Sequence, residues 1–225
     1  KTRTESDLIG SREVPESALY GVQTLRGIEN FRISKFHLNE YPLFIQALAI
    51  TKMGAAVANR ELDLLTEEQT DAILKACKEI LEGKHHDQFP VDMIQGGAGT
   101  TTNMNANEVI ANRALELMGH ARGEYQYCSP NDHVNRSQST NDAYPTAIHI
   151  GLYYTHLKLV KHFATLIEAF RKKGAEFAHI IKMGRTQLED AVPMTLGQTF
   201  NGFASILEHE LKNLDFAAQD FLTVN

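Results

Sequence analysis

Apolar side chains recur at helical spacing in two consecutive stretches of the first half of the sequence. One covers residues 43–62 and directly follows Pro42, a residue that suits the first turn of a helix. The other follows Thr66 and Gln69, which have the spacing of a capping box, and it reaches Gly83, a residue type that commonly ends helices. The pattern predicts two helices here, the second starting after Thr66 and ending at Gly83.

A third helix is predicted to begin near Asn105, with Glu108 at its third position, and to end at Gly119. The segment between the second and third helices, QFPVDMIQGGAGTTTNM, shows no period and is predicted to be a loop. We assign no regular element to the polar stretch at the start of the chain.

From residue 142 onward the apolar positions follow a heptad-like pattern in two long stretches. The first stretch carries Ile148, Leu152, Leu159, Phe163, Leu166, Phe170 and Phe177. The second carries Leu196, Phe200, Phe203, Leu207, Leu211, Leu214 and Phe221. An uninterrupted helix over the first would be about 50 Å long, which is the length of a helix in a bundle. The second pattern still runs at the last residues, so we expect the chain to stop inside or at the end of a bundle helix.

These patterns predict an all-α fold. We expect an N-terminal, mainly helical domain over residues 1–140, followed by a partial central helix-bundle domain over residues 141–225. Two helices cannot bury both of their long apolar seams against each other alone, so partner helices from further sequence or from other subunits are expected.

Composition narrows the class of protein. With 225 residues, 43% of them hydrophobic, the chain can bury a core, and its net charge of −6 excludes attraction to nucleic acid or to an anionic membrane. The two cysteines form neither a disulfide framework nor a zinc motif, and no apolar run reaches the ~18 residues of a membrane span. We expect a cytoplasmic protein.

Three polar segments lie next to predicted helix starts. They cover residues 96–108, 137–146 and 182–198, and each offers hydroxyl, amide and backbone N–H groups at the positive end of a helix. Such ends suit carboxylate or phosphate oxygens, although capping and turn formation explain any one segment taken alone. The first segment lacks the lysine of a P-loop and a preceding strand, which excludes nucleotide binding there.

Other candidate groups favour structural roles. The run of residues 85–87, His-His-Asp, is read as solvated surface rather than as a metal site, and His149 and His156 as polar contacts within the bundle. Cys128 has no flanking base and is read as an inert thiol. The acidic pair at residues 189–190 is read as a solvated turn.

Three segments of the chain resemble signature regions of the aspartase/fumarase superfamily. They are GAGTTTNMNANEVIANRALE, PNDHVNRSQSTNDAYPTA and KMGRTQLEDAVPMTLGQ. The similarity covers nearly the whole chain, from GSREVPESALYGVQTLRGIENF onward, and DQFPVDMIQGGAGT, GEYQY and QSTNDAYPT are typical of the aspartase branch. Several long segments agree in order and spacing, which makes the resemblance specific.

The resemblance implies a reversible β-elimination that converts L-aspartate to fumarate and ammonium without an organic cofactor. A proton leaves the carbon beside the β-carboxylate, which then carries two negative charges as an aci-carboxylate, and fixed hydrogen-bond donors must stabilise that charge. Neutral donors suit this role because they do not compete for the abstracted proton. A divalent cation such as Mg²⁺ is left open as an activator, and no metal ligands are assigned.

The resemblance also implies a set of substrate-binding residues: Thr100, Thr101, Ser139, Thr140, Asn141, Thr186 and Gln187. Of these, Thr100, Ser139 and Thr140 would hold the β-carboxylate, and Asn141 would contact the amino group. Residues 186–187 would reach the substrate from another subunit, because members of the superfamily are homotetramers in which three subunits share each active site.

Two departures from the superfamily pattern affect the interpretation. Gln187 stands where fumarases carry a histidine, and Ser129 stands where fumarases tend to have another; both differences favour the aspartase branch. The serine base is expected in a GSSxMPxKxN loop beyond Asn225, so no catalytic residue is assigned within this chain, which we expect to be inactive alone. A class II fumarate hydratase and a non-catalytic superfamily member stay open as alternatives.

Overall fold

The computed structural model describes residues 1–224 and is mainly helical. In chain order the elements are β1 (Thr2–Asp7), β2 (Gly10–Pro15), α1 (Val22–Asn30), α2 (Pro42–Glu61), α3 (Glu67–Leu81), α4 (Thr100–Leu117), α5 (Thr140–Glu176), β3 (Ile181–Thr186), β4 (Glu189–Thr195) and α6 (Leu196–Ala218). They form two compact units, Lys1–Leu152 and Tyr153–Thr223, and the division falls within the residues of α5. The expected domain boundary between residues 140 and 141 is close to the start of that helix and stays a prediction.

The two helices predicted first are confirmed, together with their end signals. α2 has Pro42 at its first position, and α3 has the expected capping box, in which Thr66 and Gln69 each accept a backbone N–H of the other. Gly83 follows α3 in the left-handed region, with φ +87°, and donates its N–H to Ile80 O. A glycine adopts this conformation without a steric penalty, so it stops the helix cleanly.

The predicted start of the third helix is wrong by five residues. α4 begins at Thr100, directly after Gly99, and Glu108 lies in its middle rather than in its first turn. Residues 100–104, predicted as loop, are therefore helical, whereas the end of α4 before Gly119 agrees with the prediction. The start was placed too late because the true N-cap, Gly99, has no side chain that marks it as a cap. Asn105 and Glu108 have the spacing of a capping pair and so suggested a later start.

Two antiparallel hairpins correct the all-α prediction. β1 pairs with β2 at the start of the chain, and β3 pairs with β4 between the two long helices. Both hairpins are mostly exposed, so neither needs the strict apolar alternation that marks a strand in sequence. The first hairpin is held instead by Arg3, whose guanidinium donates to the carbonyl oxygens of Pro15, Ala18 and Tyr20.

The core of the first unit lies among α2, α3 and α4. Its largest fully buried apolar side chains include Ile45 and Leu48 from α2, Ile73 from α3, and Ile110 and Leu115 from α4. Burying each such side chain stabilises the fold by about 1.5–3 kcal/mol. This packing gives α4 a rigid base, and α4 in turn carries one of the three polar segments.

Two buried carboxylates cap α1 from other elements. Glu108 of α4 accepts the backbone N–H groups of Gly21, Gln23 and Thr24 at 2.8–2.9 Å. Glu5 of β1 accepts the N–H of Val22 at 2.9 Å. The positive end of α1 is thus fully occupied by protein carboxylates, which fixes it against α4.

The second unit is built from most of α5, the β3–β4 hairpin and α6. The long helix predicted from residue 142 is confirmed, with α5 extending over 37 residues. Rings of Phe170, Phe177, Phe200 and Phe203 pack between the two helices at centroid distances of 5.5–6.3 Å. His156 binds Asp215 through Nε2 at 2.9 Å, as expected for a polar contact within the bundle.

The end of α6 differs from the prediction of a continuous helix. It stops at Ala218 and is followed by a 3-10 turn over Gln219–Leu222. Along residues 1–224, no helix combines the length and the apolar character needed to cross a membrane.

Candidate active site

The N-terminus of α4 is open to an anion. Gly99 is its N-cap, with φ +84°, and provides no side-chain cap, although in the first turn the N–H of Thr102 donates to Gln95 Oε1 at 2.9 Å. The first turn contains no acidic residue, and Thr100, its first residue, is exposed. The positive end of an 18-residue helix therefore faces solvent beside a hydroxyl group, without a competing protein carboxylate.

The N-terminus of α5 presents the second polar segment. Ser139 Oγ accepts the backbone N–H of Asn141 at 3.1 Å, while Asp142 Oδ2 accepts the N–H of Ser139 at 3.0 Å. This reciprocal capping holds residues 139–142 in a defined turn. Ser139 and Asn141 are exposed there, and Thr140 is half-buried.

The structure places these two helix ends side by side. Asn103, in the first turn of α4, donates through Nδ2 to Thr140 Oγ1 at 3.2 Å. The ring of Tyr144 packs directly on Gly99, so closely that a Cβ added to this glycine would lie 2.4 Å from ring carbons. Thr100, Ser139 and Thr140 therefore belong to one small region of the first unit.

The hydroxyl oxygens of Ser139 and Thr140 both accept hydrogen bonds from the protein. A hydroxyl has one hydrogen and can also accept. Because Ser139 Oγ accepts from Asn141 and Thr140 Oγ1 accepts from Asn103, each oxygen already has a donor on its protein side. A hydroxyl that accepts one hydrogen bond can still donate its own hydrogen, so both groups are able to donate to an acceptor such as a carboxylate oxygen.

Substituting Gly99 tests this close approach. We expect Gly99→Ala to lower the free energy of unfolding by about 1–2 kcal/mol for the left-handed backbone alone, and by more because its Cβ meets the Tyr144 ring. Gly97→Ala is the matched control, because Gly97 has a similar φ of +81° but its Cβ would approach only Thr100 Oγ1, at 3.7 Å. Urea unfolding of both variants measures the difference, and equal losses would show that the ring contact is unimportant.

Most of the other small polar residues in this segment have structural partners instead. Thr102 exchanges two hydrogen bonds with Gln95, and Asn105 donates to Gln88 O. Thr101 directs its methyl group against Gly27 of α1, so it packs between helices. The hypothesis that the whole run serves an anion is therefore too broad: burial and helix packing account for most of it.

Thr186 and Gln187 lie in the second unit, at the turn between β3 and β4. Thr186 pairs with Glu189, leaving Gln187 and Leu188 as a two-residue loop. Both loop residues have positive φ, 42° and 69°, which is the geometry of a type I′ turn. Thr186 and Gln187 are exposed, and their approach to a substrate stays a prediction.

The remaining sequence candidates have ordinary surroundings. His85 binds Glu79, and His86 binds Ile80 O. Within residues 1–224, no three or more His, Cys, Asp or Glu side chains lie close enough together to hold a metal ion. Burial raises the pKa of the Cys128 thiol to about 12, so it is not a nucleophile at neutral pH.

Sequence reasoning missed a group of buried residues behind the two helix ends. Lys52 of α2 is fully buried and binds Asn135 and Gln138, which lie in the segment just before Ser139. A lysine inside the otherwise apolar run ALAITKMGAA is the one signal that the sequence offers for such a contact. Its partners, more than 80 residues away, carry no matching signal.

Comparison with known proteins decides the family. A family model described as lyase matches residues 10–224. The chain belongs to this lyase family. Among curated relatives, aspartate ammonia-lyase of Pseudomonas fluorescens is 58% identical over 98% of the chain. The match covers 46% of that lyase, so the chain spans about half the length of this relative.

Two solved structures agree with the fold of this chain. A fumarate lyase:delta crystallin from Brucella melitensis has a TM-score of 0.97 and 51% identity, covering all of this chain and 52% of that one. A class II fumarase from Schistosoma mansoni has a TM-score of 0.90 but only 35% identity, covering all of this chain and 47% of that one. The chain is thus closer in sequence to the aspartate ammonia-lyase than to this fumarase.

Proposed function

We propose that the protein to which this lyase-family chain belongs is an aspartate ammonia-lyase, which converts L-aspartate to fumarate and ammonium. The observation that carries the proposal is the pair of adjacent helix N-termini, where neutral hydroxyl donors face outward without an acidic competitor at α4. The 58% identity to an enzyme named for this activity supports the choice of substrate.

In the proposed reaction a base removes a proton from the carbon beside the β-carboxylate. The electron pair is delocalised into that carboxylate, which becomes an aci-carboxylate with two negative charges. The electron pair then returns to form the carbon–carbon double bond as the carbon–nitrogen bond breaks. The protonated amino group leaves as ammonia, which takes up the proton from the base to give ammonium. Fumarate and ammonium are the products, and no oxidant, reductant or organic cofactor is needed.

The residues of this chain would stabilise the intermediate rather than move the proton. Thr100, Ser139 and Thr140 would donate hydrogen bonds to the β-carboxylate, where the second charge develops, and Asn141 would hold the amino group. Fixed donors at such a position contribute more in the transition state than in the ground state. Residues 186–187 would act from a neighbouring subunit of a homotetramer, and the serine base would come from a GSSxMPxKxN segment.

We also propose that this enzyme works in the cytoplasm, with a divalent cation such as Mg²⁺ left open as an activator.

Several apolar residues of the long helices are exposed, among them Leu152, Leu159, Leu166, Phe203 and Ile206. Their exposure supports association with further helices, as a homotetramer would provide.

The choice between elimination of ammonium and of water is tested by substrate preference. The intact protein is offered L-aspartate and L-malate in parallel, and fumarate formation is followed by its ultraviolet absorbance. We expect turnover of aspartate, because Gln187 replaces the histidine of fumarases. A preference for malate would instead identify a fumarase, and absence of turnover with either substrate would favour a non-catalytic member.

A further inference from the structure

A fully buried lysine lies behind the two helix N-termini. Lys52 is 0% exposed, and its Nζ lies 2.9 Å from Asn135 Oδ1 and 3.0 Å from Gln138 Oε1. A buried ammonium group is costly unless fixed acceptors surround it. Here the acceptors belong to the segment that leads directly into Ser139 and Thr140, and the reaction described above leaves this lysine without a role.

The ammonium group determines which way the amides beside it must face. An ammonium group can only donate hydrogen bonds, so the Asn135 atom at 2.9 Å has to be the oxygen. Asn103 and Asn107 approach the same oxygen with their Nδ2 atoms, at 3.1 and 3.2 Å. Each of them must present its NH₂ group, because an amide oxygen there would face another oxygen.

Two orphaned oxygens show that this orientation is imposed. Asn103 Oδ1 and Asn107 Oδ1 are buried and have no hydrogen-bond partner. Leaving a buried acceptor unsatisfied costs about 1–3 kcal/mol. The opposite orientation of either amide would bring its oxygen against Asn135 Oδ1, which cannot become a donor while Lys52 binds it.

Asn103 connects this oriented amide group to the candidate site. Its Nδ2 group also donates to Thr140 Oγ1 at 3.2 Å, so the hydroxyl accepts on this side and keeps its hydrogen for the other. We propose that Lys52 is a positioning residue of the active site, which acts through Asn135 and Asn103 to orient the Thr140 hydroxyl as a donor to the substrate carboxylate. The inference rests on the proposed function and deepens it.

The charge state of Lys52 decides how firmly the amides of Asn135 and Asn103 are held in one orientation. Burial lowers the pKa of Lys52 to about 7, whereas the neighbouring titratable group, the Cys77 thiol of α3, has its pKa raised by burial to about 12 and is uncharged. The α4 side chains that bind Asn135, the partner of Lys52, are the uncharged amides of Asn103 and Asn107. Above its pKa a neutral amine can accept as well as donate, so orientation of the amides becomes less strict.

The first test replaces Lys52 by methionine in the intact protein, with Lys75→Met at an exposed position of α3 as the matched control. We expect Lys52→Met to weaken inhibition of aspartate turnover by succinate about tenfold or more, as for loss of one charge-assisted hydrogen bond. Wild-type inhibition should weaken as pH rises through about 7, the pKa of Lys52, while the carboxylates of succinate stay ionised. The variant should lack this pH dependence and the control should keep it.

The second test separates polarity from packing and stays informative if Lys52→Met does not fold. Asn103→Asp offers only acceptors and would draw the Thr140 hydrogen away from the substrate, whereas Asn103→Leu leaves the hydroxyl free. We expect the Asp variant to have the higher KM for aspartate, although the Leu variant loses more hydrogen bonds. Equal KM values, or a higher value for Leu, would overturn the inference, as would wild-type behaviour of a folded Lys52→Met. Absence of aspartate turnover in the wild type would instead refute the proposed function.

Discussion

Thr140→Val should lower kcat/KM for L-aspartate by about 100- to 1000-fold in the intact protein. Valine keeps the shape of threonine but removes the hydroxyl that we propose donates to the developing aci-carboxylate, and loss of one such donor typically costs this much. Asn103 retains Asn135 Oδ1 as an acceptor after the change, so the fold around the site should persist. Steady-state kinetics measure the effect, and circular dichroism checks the folding.

A second threonine on the same helix provides the control for this change. Thr165 is exposed, and its hydroxyl donates to Lys161 O in the preceding turn of the same helix. Thr165→Val should therefore leave kcat/KM within about twofold, a change below 0.5 kcal/mol that is ordinary for surface substitutions. If Thr140→Val were as active as Thr165→Val, the Thr140 hydroxyl could not be a donor in the transition state.

Glu108→Gln should cause the largest loss of stability among conservative substitutions in the first unit. The carboxylate accepts three backbone N–H groups at the start of α1, and glutamine would present an NH₂ group to at least one of them. Burial raises the pKa of Glu108 while these bonds oppose the shift, so its charge depends on all three donors. We expect a loss of about 3 kcal/mol in the free energy of unfolding.

Urea unfolding followed by circular dichroism measures this loss, and Glu61→Gln serves as the control. Glu61 is the exposed last residue of α2, so its substitution should change stability by less than about 0.5 kcal/mol. Similar midpoints for both variants would mean that α1 does not depend on the buried carboxylate.

Sequence predicts best the helices whose apolar residues recur at helical spacing. In α2 and α3 these residues pack into the core. The two long helices show the same spacing, although several of their apolar residues, such as Leu152, Leu159 and Leu166, are exposed. The two hairpins were not predicted, because mostly exposed strands show no regular alternation of apolar residues. β1 is held through Arg3 and its carbonyl partners, a contact between distant residues that no local pattern indicates.

The candidate site divides in the same way between local and distant signals. Ser139 and Asp142 form a local cap that the sequence around them indicates, and Gly99 is detectable as a residue suited to a left-handed N-cap. The contact between Lys52 and Asn135 joins residues 83 positions apart, so only the folded chain brings them together. The spacing of these amides and of the lysine in the sequence is also not distinctive. It does not indicate which of their groups donate hydrogen bonds and which accept them.

The central claim is that hydroxyl groups at the N-termini of α4 and α5 hold one carboxylate of the substrate. A crystal structure of the intact protein with bound succinate tests it most directly. We expect one carboxylate within about 2.5–3.0 Å of the hydroxyl oxygens of Thr100, Ser139 and Thr140. A succinate molecule bound in the active site without contact to any of these three hydroxyls would contradict it.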